Sequence, residues 1–583
     1  MNKSFQHMLE FIFPITAVVL LSTVFSLNAQ DDETASLDLR IDRDGIFIFY
    51  DAPLGSSTTG QPLAIGDLNN NNCGDIIVGA QNASFAGAEG WRNNAGHLRI
   101  IMDVCTIDGQ INMADTSDRS RQIITVLGAQ AEDMLGTEIT VADFNSDDYD
   151  DVLVGAQNHG GINNARLRAG AAYVIWGSSS FNDLSEINLS EPNDSVLTIY
   201  GADSEDRLGL WVDHGDFNAD DYADMLIGAN QADGIDNSRI NAGEVWIIYG
   251  GEDIQQFGSS IDMRQPPVTS TRINGIDYDD LFGSTVLGGD LNNDGYSDVI
   301  ASAALWRGSA GIGGIDFGGG DGPNNTRYNG GDTYVIFGNK DLQGKVIDLA
   351  TKLASDGSPI DESIAVVYGV DSNDLMGEEL AVGDLDGDGR NDLVLGSLVT
   401  GGVTNRMDEA GEAWIIYGNI PFEGQAIDLA NPSNRITTVI YPDQPSSKGG
   451  DILRVGDLDN DGVDDLFYGA PNYDPSDNNN EVRKNAGLLA IIYGIEGRPI
   501  SETPLIIPSA APDNLRISYI IGTDAEDMMA YGLAIYDVNG DGILDIAPNG
   551  MGGDGIDNTI INAGEIYVID GALFLSKLSI FLE

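Results

Sequence analysis

The chain has 583 residues, too many for one ordinary hydrophobic core, so it holds several domains or a repeat architecture. Its 92 Asp and Glu against 28 Lys and Arg leave a formal charge of −64, which repels nucleic acid and anionic membranes and sets both aside as partners. Bound cations, a salty medium or a solubility device remain as reasons for the acidity.

In chain order, residues 1–29 read as an export signal: Lys3, an apolar run over 11–27, then "SLNAQDD" with cleavage after Ala29. An uncleaved anchor is the alternative, because 17 apolar-rich residues almost span a bilayer. No later segment has that length and hydrophobicity, so the expected location is secreted, periplasmic or cell-surface. The two cysteines, Cys73 and Cys105, could pair in an exported chain or stay as free buried thiols.

Residues 30–583 are self-similar. Segment 37–53, "LDLRIDRDGIFIFYDAP", reads as a fourth strand lacking its first three. Seven acidic loops follow: "DLNNNNCGD" from 67, "DFNSDDYDD" from 143, "DFNADDYAD" from 216, "DLNNDGYSD" from 290, "DLDGDGRND" from 384, "DLDNDGVDD" from 457 and "DVNGDGILD" from 537. After each comes an apolar run such as "DVLVGAQ" (151–157), then a polar stretch ending in "AG" or "GG". A second run such as "AAYVIWG" (171–177) and, after a variable connector, a third such as "VLTIYGAD" (196–203) complete the unit. Short β-branched and aromatic runs bounded by turn residues are strands. Four strands per repeat, seven times, predict an all-β, seven-bladed β-propeller of four-stranded antiparallel blades that bury one another's faces. The last repeat stops soon after its third strand, so residues 37–50 are expected to complete it and close the ring.

Within each loop, side-chain oxygens recur at positions 1, 3, 5 and 9, with a sharp turn at position 6, which is the recipe for Ca²⁺. The predicted ligands are Asp67, Asn69, Asn71 and Asp75; Asp143, Asn145, Asp147 and Asp151; Asp216, Asn218, Asp220 and Asp224; Asp290, Asn292, Asp294 and Asp298. Asp384, Asp386, Asp388 and Asp392; Asp457, Asp459, Asp461 and Asp465; and Asp537, Asn539, Asp541 and Asp545 complete the set. Carboxylates without His or Cys exclude a zinc-type site. The loop at 67 has two carboxylates and is expected to be the weakest. Asp148 and Asp221 stand where the turn usually has Gly, and Asp tolerates the left-handed conformation. The calcium is expected to be structural, neutralising and stiffening each turn.

The repeat resembles the FG-GAP repeat, the blade of the integrin α-subunit propeller. The FG element appears as "FGS" (282–284) and in variant form as "LGT" (135–137), "LGL" (208–210), "MGE" (376–378) and "YGL" (531–533). The GAP element appears as "GAP" (469–471), "GAQ" (79–81, 155–157) and "GAN" (228–230), with departures at "ASAA" (301–304), "GSL" (396–398) and "APNG" (547–550). The resemblance implies a seven-bladed propeller with Ca²⁺ between strands one and two, often in secreted or cell-surface adhesion proteins. No stalk, membrane span or cytoplasmic tail is expected after the propeller, which favours a free-standing exported protein over an integrin subunit.

The loops between strands two and three lie on the face opposite the calcium loops. They are long and rich in Gly, Asn and Arg, the longest being 305–331. Long loops on a rigid scaffold carry binding, so Arg92, Arg166, Arg239, Trp306, Arg307, Arg327 and Arg406 are candidate contacts for an extracellular protein or glycan; pairing with neighbouring loops and shaping of their turns is the competing role. Adhesion or ligand binding is the expected function. A polysaccharide- or lipid-degrading enzyme or its accessory module is the alternative, and a structural part of a surface assembly is the third. His97, His159 and His214 fall in separate repeats and none sits in a metal or nucleophile motif, so no catalytic constellation is expected.

Overall fold

The computed structural model describes Ser36–Asp38, Ile46–Tyr50 and residues 62–579, apart from 88–89, 107–109, 114–121, 192, 307–316, 403–405, 433–434, 477–480, 502, 513 and 555–561. The export signal expected over 1–29 lies outside the described residues.

Each acidic loop joins two antiparallel strands, and the second is buried along its whole length, as in Asp151–Ala156, Asp224–Ala229 and Asp392–Ser397. Such strands are apolar throughout because both faces meet a neighbouring sheet. Third and fourth strands extend each sheet outward. Blade 2, for instance, runs Leu135–Ala142, Asp151–Ala156, Ala171–Ile175, Val196–Tyr200, all antiparallel. Seven such blades are present among the described residues.

Seven apolar clusters sit between successive blades, not inside them. One joins Ile77, Leu98 and Val126 of blade 1 to Val152, Val154 and Tyr173 of blade 2. The cluster that closes the ring joins Phe49, Ala547 and Ile566 of blade 7 to Ile76, Val78 and Ile101 of blade 1. Each sheet is thus completed by its neighbours, the logic of a repeat array bent into a circle.

Two features depart from the expected four-stranded unit. Every blade carries a fifth, outer strand of three residues, parallel to the fourth and donated by another part of the chain. Glu186–Asn188, in the connector between strands three and four of blade 2, pairs with Ile123–Leu127 of blade 1; Ser260–Asp262 of blade 3 pairs with blade 2 in the same way. The borrowed strand covers an edge that would otherwise present unpaired backbone groups. The second departure concerns ring closure. Ile46–Tyr50 pairs with Glu565–Ile569 as the fourth strand of blade 7, whereas Ser36–Asp38 joins blade 6 as its outer strand. Only the second half of segment 37–50 therefore completes the last blade; its first half occupies the outer-strand position that other blades fill from their connectors.

The FG and GAP glycines have one steric cause. Gly209, at the start of blade 3, has φ of +83° and places its carbonyl where a Cβ on Gly155 of blade 2 would approach to 1.9 Å. Gly283 does the same to Gly228, at 2.2 Å. Neighbouring blades touch backbone to backbone there, which only glycine permits.

Among the described residues no helix is long and apolar enough to cross a membrane. Among the described residues one α-helix is present, Ala572–Ser579, beside short 3₁₀ turns such as Ile162–Asn164.

Candidate functional site

All seven acidic loops share one hydrogen-bonded frame. The position-1 aspartate receives the amides of positions 5 and 6: Asp384 accepts from Asp388 N at 3.1 Å and from Gly389 N at 2.8 Å. Asp67, with Asn71 and Asn72, makes the same pair. Position 6 is left-handed in every loop, including Asp148 (φ 68°) and Asp221 (φ 69°). The position-9 aspartate is a clasp. Asp392 accepts from Leu385 N at 3.0 Å and, through its other oxygen, from Gly418 N at 2.8 Å, tying the loop to the end of strand three.

Burial is the main force on these clasps. It pushes the carboxyl of Asp392 up to about 8, with Asp386 and Asp384 raising it further and the two amides lowering it. Asp151, Asp224, Asp298 and Asp465 are likewise raised to about 8, Asp75 to about 7 and Asp545 to about 6.

The donor set fits a hard divalent cation. Carboxylate oxygens of Asp384, Asp386 and Asp388, and of Asp457, Asp459 and Asp465, converge to within 4.8 Å of one another. Position 3 gives the clearest sign. Asp386 Oδ1 and both polar side-chain atoms of Asn145 are buried without a hydrogen-bond partner. Buried acceptors left in that state are costly unless a cation or water meets them. In the loops at 216 and 290 the position-3 amide instead donates to position 5, from Asn218 to Asp220 at 2.9 Å and from Asn292 to Asp294 at 3.1 Å.

Loop contacts also run between blades. Asp67 N donates to Asp150 Oδ2 of the next blade at 2.8 Å, and Asp384 N to Asp464 Oδ2, also at 2.8 Å. Cys73 and Cys105 form a disulfide, which resolves the choice left open by the sequence and ties the first loop to the chain leaving strand three.

On the opposite face, four candidate arginines hold the ring together. Arg166 is 5% exposed; it donates to Gly201 O, Ala202 O and Asp262, the last on the strand lent by blade 3. Arg239 binds Ile276 O and Asp348, and Arg327 binds Gly369 O and Asp428. Arg92 binds Gly128 O, Asn188 and Ser190. These guanidinium groups link one blade's loop to the outer strand contributed by the next. Arg483, not singled out from the sequence, does similar work on Gly522 O and Thr523 O. Arg406 is exposed. Trp306 ends the strand Asp298–Trp306; its side chain and Arg307 lie outside the described residues.

The residue after each of three clamps projects outward instead. Leu167, Ile240 and Tyr328 are 64%, 56% and 63% exposed, at equivalent positions on blades 2, 3 and 4. Each offers its carbonyl to the next blade's turn, accepting from Glu205, Asp279 and Asn373 N. Tyr278, 60% exposed, precedes Asp279 and donates its hydroxyl to Ser238 O. Sequence reading missed these positions because scattered surface apolar residues are ordinary; their common register is the signal.

The histidines remain apart. His159 is buried against Tyr173 and Tyr200, and burial lowers it to about 4, so it is neutral near pH 7. His214 lies on the innermost strand of blade 3 and pairs with Thr140 of blade 2 at 2.7 Å.

Comparison with known proteins agrees with this architecture. The FG-GAP repeat family matches residues 135–175, 282–315 and 376–416. Phosphatidylinositol-glycan-specific phospholipase D of Dictyostelium discoideum is 26% identical over 413 residues, covering 61% of this chain and 42% of that protein. The Bos taurus protein of the same name is 24% identical over 423 residues, covering 71% and 43%. Integrin alpha pat-2 of Caenorhabditis briggsae is 23% identical over 256 residues, covering 42% and 18%. The chain thus spans less than half the length of these relatives. With seven blades among the described residues and FG and GAP glycines meeting between them, the chain carries FG-GAP repeats in a propeller and is similar to integrin alpha subunits.

Proposed function

We propose that the chain is an exported propeller, stabilised by Ca²⁺ in its acidic loops, that binds an extracellular protein or glycan through the opposite face. The observation that carries the ligand face is the exposed series Leu167, Ile240 and Tyr328, held at one register on three successive blades by loops whose arginines are tied inward. Apolar side chains fixed on a rigid frame lose little entropy on binding. Similarity to integrin alpha and to phosphatidylinositol-glycan-specific phospholipase D supports a shared scaffold. The activity in the second name belongs to proteins of which this chain spans less than half, so an enzymatic reading is no better supported than a binding one. Glycan arrays and pull-downs of surface proteins test the proposal. Leu167→Asp, Ile240→Asp and Tyr328→Asp together should abolish capture while leaving the melting curve in place. Capture that survives the triple variant, or release of product from a bound polysaccharide or lipid, would overturn it.

A further inference from the structure

The first acidic loop departs from its relatives twice, and the two departures meet in space. It has Asn71 where the others have an aspartate at position 5, leaving Asp67 and Asp75 as its only carboxylates. The residue that closes strand three of the same blade is also unusual. In the other six blades it is glycine: Gly177, Gly250, Gly338, Gly418, Gly494 and Gly571 each donate their amide to the position-9 aspartate. In blade 1 that amide belongs to Asp103, which donates to Asp75 Oδ1 at 2.7 Å. At the six glycines a Cβ would come within 1.9 to 2.4 Å of a backbone carbonyl, so a side chain is excluded. Asp103 escapes that contact by adopting φ of 55°, and its carboxylate turns into the loop.

What the carboxylate does there is specific. Asp103 Oδ1 accepts from Asn69 Nδ2 at 3.1 Å and from Asn71 Nδ2 at 2.5 Å, while Oδ2 accepts from Asn182 Nδ2 of the next blade at 3.3 Å. An amide whose nitrogen is held by a carboxylate has its oxygen turned the other way. Asn69 is 9% exposed, and its Oδ1 is buried with no hydrogen-bond partner. A buried amide oxygen so oriented lacks only a cation or a donor. Charge gives the same answer. Asp67, Asp75 and Asp103 together carry three carboxylates, the number at positions 1, 3, 5 and 9 of each of the loops at 143, 216, 290 and 537.

We propose that Asp103 is a positioning residue that makes the first loop a full calcium site. It fixes Asn69 and Asn71 as oxygen donors and restores the charge lost at position 5. The disulfide from Cys73 to Cys105, two residues beyond Asp103, holds this rebuilt corner in place. The inference rests on the reading that the acidic loops bind Ca²⁺, and it reverses the expectation that the loop at 67 is the weakest.

The test is a count of bound calcium on the full, oxidised chain by equilibrium dialysis and elemental analysis, with melting curves to show folding. Wild type should hold seven ions. Asp103→Asn keeps the size and tolerates the left-handed conformation but removes the charge, and should hold six; Asp103→Gly should also hold six. Asp103→Gly with Asn71→Asp rebuilds the standard loop and should return to seven. A purely structural Asp103 would change melting without changing the count. A wild-type count that neither Asp103 variant lowers overturns this inference alone. No bound calcium at any loop overturns the calcium reading and this inference with it.

Discussion

Replacing Arg166 by alanine separates a structural clamp from a ligand contact. The guanidinium is buried and makes three bonds, to Gly201 O at 2.8 Å, Ala202 O at 2.9 Å and Asp262 Oδ1 at 2.6 Å. Each bond to a charged donor contributes roughly 1.5 kcal/mol at the lower end of its range. The Asp262 side chain is 31% exposed and regains water when its partner leaves, so its share is discounted. The sum is about 3 kcal/mol, confined to the turn where the chain leaves blade 2 for blade 3. A local loss shifts the melting of so large a ring only slightly, so the assay is amide hydrogen exchange. Gly201 N, bonded to Gly170 O at 2.9 Å at the end of blade 2's own ladder, reports on the turn whose carbonyls the guanidinium holds. At about 1.4 kcal/mol per tenfold, its protection should fall by roughly a hundredfold. Arg406→Ala, at an exposed position, should leave protection unchanged. Unchanged protection at Gly201 in Arg166→Ala, or loss of ligand capture with protection intact, would refute the clamp and return Arg166 to the ligand face.

Excess EGTA should lower the melting temperature sharply, and Asp388→Ala should cost more than Asn71→Ala, because Asp388 removes a carboxylate from a converging group; equal losses would contradict that ranking. In saturating calcium, stability should fall as pH rises from 6 to 9. Burial raises Asp206 to about 7 and Asp280 to about 8, above their unfolded value of 3.8, so the stability linked to their protonation is complete below that value and lost through pH 7 to 8. Asp280→Asn should make the fall smaller without removing it, since Asp206 and Glu244 are raised in the same way, and a wild-type profile flat over this range would count against the assignment. Replacing Cys73 and Cys105 by alanine opens a loop of sequence separation 32 and should cost on the order of 3 kcal/mol in the chain-entropy account, read as a shift in the urea midpoint.

The acidic loops were legible because their grammar is local. Position 1 bonds to positions 5 and 6, and position 9 to position 2, so nine residues contain most of the frame. The blades were legible for a related reason: a strand buried on both faces is apolar throughout, and the pattern repeats. The sequence offered the arginines pairing with neighbouring loops as one of two roles, but their individual partners were not legible because they are distant. Arg166 and Asp262 are 96 residues apart, and nothing near either hints at the other. The outer strand was hidden by its length, three residues inside a connector, although "EIN", "SID", "VID" and "AID" recur at that place. Asp103 could be found only by aligning strand ends, where "MD" stands against "WG", "YG" and "FG".

These links share a direction. An acidic loop leans on position 8 of the next blade, an arginine reaches the next blade's borrowed strand, and that strand itself crosses the seam. The seam between blades 1 and 2 is therefore tied on one face by Asp67 and Asp150, at the outer edge by Glu186–Asn188, and on the other face by Arg92 and Asn188. Closure follows the same rule with one change. Blade 1 continues from Ile46–Tyr50 along the chain, so the seam between blades 7 and 1 is covalent, and the ring's ends meet inside blade 7. The join is a five-residue antiparallel ladder from Ile46↔Ile569 to Tyr50↔Glu565, with Phe49 fully buried at its centre. A joint between two blades would rest on side-chain packing and scattered backbone bonds; a joint within a sheet adds a continuous ladder and fixes the register. Gly74 N of the first loop bonds to Val538 O of the last at 3.0 Å, so the acidic face also closes. Exposed Leu167, Ile240 and Tyr328 stand on a frame fixed on every side, the condition under which a loop can present apolar groups without collapsing onto them.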